Sequence, residues 1–237
     1  MATARSILFL AGLVAAAIIH GLVTTLVAIF LNSEQRYRVA ATLPLFIKWW
    51  LHITCGISYR VIGEENIIAA PAVIVSNHQS AWETFMIQRL FNPLCPVLKK
   101  ELTNIPFFGW AVRLVDPIAI DRHRKQNALK QLLSEGCVRL NQKKYVMIFP
   151  EGTRVAPGEV VPHFSGGSLL AVKAGVPIIP IVHNSGYFWP AHHIKKTPGV
   201  ITLKIGAPID TQSKSPKALT AEIEAWMRRE FEQLPKS

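Results

Sequence analysis

The chain has 237 residues, half of them hydrophobic, with a formal charge of +11 and three cysteines. That length and apolar content suit one sizeable core plus an appendage. Cys55, Cys95 and Cys137 are odd in number, widely spaced and free of any C-x-x-C, which argues against a disulfide framework or a zinc site and leaves free thiols. Only 4 of the 26 basic and 1 of the 15 acidic residues precede Arg60, so the remainder is itself basic and suited to phosphates.

Residues 6–31 contain no Asp, Glu, Lys or Arg. As helix they would span about 39 Å, more than a hydrocarbon core of about 30 Å. The run is far longer than the h-region of a cleaved signal, roughly 7–15 residues, so a retained anchor is expected. His20 interrupts it, and a neutral imidazole facing a neighbouring helix is the reading favoured over catalysis. Arg5 precedes the run while Arg36, Arg38, Lys48 and Arg60 follow it, a bias that places the main domain on the cytoplasmic side. Residues 37–57 form a second membrane-facing stretch, in which Pro44 can open a helix carrying Leu45, Phe46, Trp49 and Trp50. A core helix rich in aromatics is the alternative. The domain expectation is therefore a helical anchor over 1–59 and a catalytic unit over 60–237.

Beyond Arg60 short apolar runs alternate with helical stretches, the pattern of α/β layers. Strands are expected at 72–76, 117–120, 145–149, 178–182 and 200–205. Helices are expected at 124–141, where Leu129, Leu132, Leu133, Cys137 and Leu140 recur at helical spacing, and from Gly166 to a C-cap at Gly175. A last helix carries Leu219, Ile223, Trp226, Met227 and Phe231 on one apolar face, read as core packing.

The stretch 73–83, V-I-V-S-N-H-Q-S-A-W-E, runs from strand through loop into helix. Ser80 and Glu83 fit a capping box, so a helix should begin at Ser80 and leave His78 in the turn before it. Crevices beyond the carboxyl ends of strands are where open α/β sheets bind ligands. His78 and Glu83 on one continuous helix would point about 140° apart, so they meet only if the chain turns between them. A loop imidazole backed by a carboxylate is a general base with a fixed tautomer. The residues alone leave open that Glu83 merely caps the helix and His78 is a turn residue.

The second polar loop is 149–154, F-P-E-G-T-R, which again follows a strand. Gly152 allows close approach of the backbone, Arg154 offers a planar fork that suits a phosphate, and Thr153 adds a donor. An Arg154–Glu151 pair bracing a turn is the competing reading. Lys99 and Lys100 are read as a solvated face, and Phe107, Phe108 and Trp110 as core in preference to an acyl channel. His192 and His193 are adjacent, point apart and have no acidic or cysteine partner at ligand spacing, so no metal is expected.

Residues 77–83 resemble the first motif of the glycerolipid acyltransferases, a His followed four residues later by Asp, with flanks similar to those of bacterial 1-acylglycerol-3-phosphate acyltransferases. Glu83 departs from that Asp by one methylene. Residues 109–122, ending in I-D-R, resemble the second block, and 149–154 match the third without substitution. The proline-punctuated run 176–182 resembles the fourth, and His163 stands where a Lys is expected.

The resemblance, over roughly 72–209, implies a mixed sheet flanked by helices. It implies transfer of an acyl group from acyl-CoA or acyl carrier protein to the free hydroxyl of lysophosphatidic acid at the cytoplasmic face of a bacterial inner membrane, with no further cofactor. Within it, His78 is the base and Glu83 its orienting partner. Arg122, Glu151, Gly152 and Arg154 hold the acceptor's phosphate. Another lyso-lipid acceptor, such as a lysophospholipid or lyso-aminolipid, or a non-catalytic membrane lipid-binding role, are the alternatives. A nucleic-acid partner is disfavoured because no aromatic-basic RNA signature appears.

Overall fold

The computed structural model describes residues 2–121 and 125–236. Three helices come first: α1 (Ala2–Ala28), α2 (Ser33–Ala40) and α3 (Leu43–Cys55). The rest alternates: β1 (Ile57–Ile62), β2 (Val73–Ser76), α4 (Trp82–Leu90), β3 (Leu94–Lys99), α5 (Phe108–Arg113), β4 (Ile118–Ile120), α6 (Lys125–Asn141), β5 (Tyr145–Ile148), α7 (Gly166–Ala174), β6 (Ile178–His183), α8 (Ser185–Phe188), β7 (Gly199–Ile205) and α9 (Pro216–Glu232). The strands form one seven-stranded sheet in the order β1-β7-β6-β2-β5-β3-β4. Every pairing is parallel except β6 with β7, so the sheet is mixed.

Side chains alternate between faces along each strand, and this builds two cores from one sheet. Ile74, Met147, Ile179 and Ile181 face α3, α4 and Phe9 of α1. Val73, Val75, Val146, Ile148 and Ile178 face α6, α7 and α9, where Leu219, Ile223 and Met227 supply the buried stripe. The central strands β2, β5 and β6 are buried on both sides, as their unbroken apolar runs anticipate.

Two strands escaped the sequence reading. In β1 the run I-S-Y-R-V-I mixes polar and apolar residues, because it is an edge strand with solvent on one flank. β3 carries a proline, a residue strands admit only at special positions. Pro96 sits where the strand changes partner: residues 94–96 pair with β5 and residues 97–99 with β4, so the missing N–H falls at the switch. α4 begins two residues later than the capping box suggests, since Glu83 turns back into the loop (below).

α3 has Pro44 in its first turn and is capped by Gly56, whose left-handed φ of 66° closes it with an N–H to His52 O. It has two distinct faces. Ile47, Leu51 and Cys55 are buried in the sheet's core, whereas Leu45, Phe46, Trp49 and Ile53 are exposed. The buried face meets the core-helix reading, and the opposite face is apolar and exposed.

α1 is fastened to the body along its length. Arg5 donates to Thr54 O, Ser6 Oγ accepts from Lys196 N, and the Phe9 ring meets Trp189 edge-on at 4.9 Å. Further along, His20 Nε2 lies 3.2 Å from Val39 O, Gly21 packs so tightly that a Cβ would come within 2.4 Å of Phe107 O, and Arg36 donates to Ala28 O. An 18-residue window of the helix has a mean hydropathy of 2.4, and Ile7, Leu8, Val14, Ile19, Val23 and Leu26 are exposed. Leu102, Ile105 and Trp110 are exposed too, which corrects the core reading of Trp110.

The two faces of α3 separate in experiment. Leu51→Ala should cost about 2–5 kcal/mol, as for other large-to-small core changes. Trp49→Ala should stay within about 0.5 kcal/mol. Chemical denaturation in detergent compares the two.

Candidate active site

Because β2, β5 and β6 run parallel and side by side, the loops leaving their carboxyl ends emerge at one edge. They bring 77–81, 149–155 and 184–186 together, the crevice position expected for an open α/β sheet.

Glu83 is the centre of this edge. Its side chain is fully buried and carries four hydrogen bonds. Oε1 accepts from His78 Nδ1 and from the backbone N–H groups of Gln79 and Ser80, all at 2.8 Å. Oε2 accepts from Ser185 Oγ at 3.0 Å. The bond to Ser80 N is the reciprocal half of a capping box, while the Ser80 hydroxyl accepts from Trp82 N, so the box is rearranged around the histidine. Burial alone would raise the pKa of Glu83. The facing imidazoles of His183 and His78, with the Ser80 N–H, outweigh it and bring the value to about 2.

An ionised carboxylate only accepts hydrogen bonds, so Nδ1 of His78 carries the proton and Nε2 keeps a free lone pair. The chain turn foreseen between His78 and Glu83 is what lets them meet, and glutamate spans the gap without strain on the contact distance. The imidazole is held from three other sides. Its ring stacks on Phe149 with centroids 4.0 Å apart, its backbone N–H donates to Glu151 Oε2 at 2.6 Å, and its C=O accepts from Val155 N at 2.8 Å.

Glu151 therefore clamps the histidine loop instead of pairing with Arg154, and the turn-bracing ion pair considered from the sequence does not form. Burial pushes the Glu151 pKa up to about 8, the His78 N–H opposes this and the nearby Glu83 charge adds to it. Gly152 has a φ of 69°, and a Cβ there would lie 3.2 Å from the Phe164 ring, which accounts for glycine at this turn. Thr153 and Arg154 are exposed, and among the described residues Arg154 has no ion-pair partner. Arg122 lies outside the described residues. Lys99 pairs loosely with Glu101 at 3.7 Å on the surface.

A cavity of about 630 Å³ opens beside this loop. Val97, Ile120, Leu129, Leu132, Ile148 and Phe149 give it an apolar wall, and Glu151, Gly152 and Thr153 form its polar end. On the other side of Glu151 a narrower cleft of about 150 Å³ runs toward α9, past Asn77, Gln79 and Arg228.

The sequence reading missed the contribution of β6. Asn77 donates to His183 O and accepts from His183 N, and His183 Nε2 donates back to Asn77 O at 2.9 Å. With Nδ1 accepting from Ser185 N and burial pushing its pKa down, His183 is a neutral imidazole locked within the fold. The available signal was positional: His183, Asn184 and Ser185 are polar residues just past a parallel strand, as His78 and Glu151 are. Among the described residues no group of three or more His, Cys, Asp and Glu is placed to hold a metal.

Fold and site define an α/β protein that holds an oriented imidazole, stacked on Phe149, whose loop lines an apolar chamber. The acyltransferase family model matches residues 58–184. The 1-acyl-sn-glycerol-3-phosphate acyltransferase of Pseudomonas aeruginosa is 43% identical over 94% of this chain and 88% of its own length. The human 1-acyl-sn-glycerol-3-phosphate acyltransferase alpha is 34% identical over 80% of this chain and 67% of its own. The crystal structure of the 1-acyl-sn-glycerophosphate (LPA) acyltransferase PlsC from Thermotoga maritima superposes with a TM-score of 0.82 over 98% of this chain and 95% of that one; at 23% identity the likeness is one of fold. The chain belongs to the 1-acyl-sn-glycerol-3-phosphate acyltransferase family and is an O-acyltransferase of phospholipid biosynthesis.

The Glu151 shift has a signed consequence. A carboxyl with a raised folded pKa costs stability progressively as pH climbs from its unfolded value, near 4.5, toward about 8. Glu151→Gln keeps an acceptor for His78 N–H, so it should melt higher than the parent at pH 8 and converge with it near pH 5. A melting series across that range checks this.

Proposed function

We propose that this enzyme transfers a fatty acyl group from an acyl thioester, acyl-CoA or acyl carrier protein, to the free hydroxyl of 1-acylglycerol-3-phosphate. The product is phosphatidic acid. The observation that carries the reading is the bond from His78 Nδ1 to a buried, ionised Glu83, which leaves Nε2 as the base.

Nε2 takes the proton from the acceptor hydroxyl as that oxygen attacks the thioester carbonyl. Glu83 fixes the tautomer and stabilises the imidazolium, as a carboxylate does behind histidine in a triad. The substrate's hydroxyl stands in for an enzyme serine, so no acyl-enzyme forms. When the tetrahedral intermediate collapses, the C–S bond breaks and the imidazolium returns its proton to the leaving thiolate. The chemistry needs no metal or further cofactor.

Arg154, exposed and next in the chain to the cavity-lining Thr153, is suited to the acceptor's phosphate, with Arg122 assigned the same task by family resemblance. Held neutral near pH 7, Glu151 can sit next to a phosphate without repelling it. The apolar cavity is of a size and polarity to take an acyl chain.

The exposed faces of α1 and α3 suit burial in one leaflet. α1 is tied to the body at both ends, which favours lying along the bilayer over standing clear of the domain. Trp49 then sits at headgroup level. The positive residues after α1 support the cytoplasmic side.

His78→Ala should lower turnover by roughly 10²–10⁴-fold with folding intact. Purified protein assayed with palmitoyl-CoA and palmitoyl carrier protein, with lysophosphatidic acid as acceptor, tests this and ranks the donors; wild-type turnover in the variant would refute the base assignment. Arg154→Ala should raise KM for lysophosphatidic acid by about tenfold or more, the loss of one charge-assisted contact, and change KM for the donor little. An acceptor panel that includes uncharged and zwitterionic lyso-lipids measures how far that contact sets the choice.

A further inference from the structure

The two oxygens of Glu83 are served unequally. Oε1 receives three donors, all from residues 78–80. Oε2 receives one hydrogen bond among the described residues, from Ser185 Oγ at 3.0 Å. The next group, His183 Nε2, lies 4.0 Å away and is committed to Asn77 O. Ser185 is fully buried, so no bulk water stands ready to replace it. Because the ionised carboxylate can only accept, the serine hydroxyl must donate.

The terminal torsion of a glutamate is broad and roughly two-fold, so three bonds to one oxygen do not by themselves fix the plane of the carboxylate. A donor on the second oxygen does. We propose that Ser185 is a positioning residue: by holding Oε2 it sets the plane of the Glu83 carboxylate and so presents Oε1 to His78. This rests on the assignment of His78 as the base.

The serine is in turn held rigidly. Its N–H faces His183 Nδ1, and the preceding Asn184 accepts from Thr202 N at 2.7 Å and donates to Pro235 O at 2.6 Å. A strand end that carries no residue of the dyad thereby controls its geometry. It also gives the longer glutamate a partner for its second oxygen in the space beyond the imidazole.

Without Ser185, Oε2 would be a buried acceptor with no donor among the described residues, and the negative charge would concentrate on Oε1 against His78. Three titratable groups face this pair: His78 from the loop after β2, His183 from the end of β6, and Glu151 from the loop after β5. Of these, only His78 shares a proton with Oε1. Removing the serine hydroxyl should therefore stabilise protonated His78 and move the acid limb of the kcat/KM profile to higher pH. The loosened carboxylate should also slow turnover, whereas Ser185 lines neither cavity, so substrate KM should hold.

The test compares wild type, Ser185→Ala, Ser185→Thr and His78→Ala in full-length protein, by steady-state kinetics between pH 5 and 9 with parallel melting curves. The expected result for Ser185→Ala is a kcat reduced roughly 10- to 100-fold, the size of effect that misplacing a catalytic group produces. It comes with unchanged KM, an acid limb displaced upward, and recovery of both in Ser185→Thr. Wild-type kcat and an unmoved limb in Ser185→Ala would overturn the proposal. So would a kcat loss in both serine variants that merely tracks a fall in melting temperature. Should alanine not fold, Ser185→Cys keeps the size and weakens the donor: a slowed kcat with a raised limb supports positioning, and wild-type kinetics refutes it. If His78→Ala stays active, the base assignment fails and takes this inference with it. An inactive His78→Ala alongside an unaffected Ser185→Ala sinks the Ser185 role alone.

Discussion

A carboxylate buried to zero exposure, with no lysine or arginine paired to it among the described residues, is the constraint around which the active edge is built. Taking such an ion out of water costs several kcal/mol unless donors replace the lost hydration. Glu83 meets that demand with an imidazole, two backbone N–H groups and a serine hydroxyl. Each donor belongs to a backbone that must hold a particular course, so the cost of exposing the charge stiffens residues 77–81 and 183–186 together. The rigidity that aims the imidazole thus comes from the same interaction that fixes its tautomer.

Sheet topology makes this economical in chain length. Three adjacent parallel strands each end in a polar loop at one edge, and cross-links between the loops are short: Asn77 to His183, Gln79 to Gly186, His78 to Glu151 and Val155. The antiparallel β7 lies on the far side of β6, where it lets Asn184 tie the β6 loop to Thr202 without entering the crevice. Above the edge, the cavity has an apolar wall and a polar end formed by Glu151, Gly152 and Thr153.

The amino-terminal helices are part of this architecture as well as its approach to lipid. α3 contributes Ile47, Leu51 and Cys55 to the core under β1 and α4, and Phe9 of α1 is as buried as any residue in the sheet. Their opposite faces remain apolar and uncovered. On the proposed reading, with one face in the core and the other in a leaflet, these helices would fix the height of the active edge relative to the bilayer surface, because neither contact could shift without exposing apolar area.

Much was legible in the chain itself: the α/β alternation, the buried central strands, the turn that joins His78 to Glu83, and the polar loop at 149–154. These are local features, written in side-chain periodicity, caps and glycine positions over a few residues. β1 and β3 were not legible, since an edge strand tolerates polar residues and a proline is admissible where a strand changes partner. The start of α4 moved by two residues because Glu83 serves the histidine before it serves the helix. Sequence by itself determined which residues can carry charge, protons and apolar surface. Only the tertiary structure decided that Glu151 clamps the backbone of His78 instead of pairing with Arg154, and that His183 and Ser185 stand behind Glu83. Those contacts join residues about 70 to 105 positions apart, and strand order, which no local pattern encodes, is what sets them side by side.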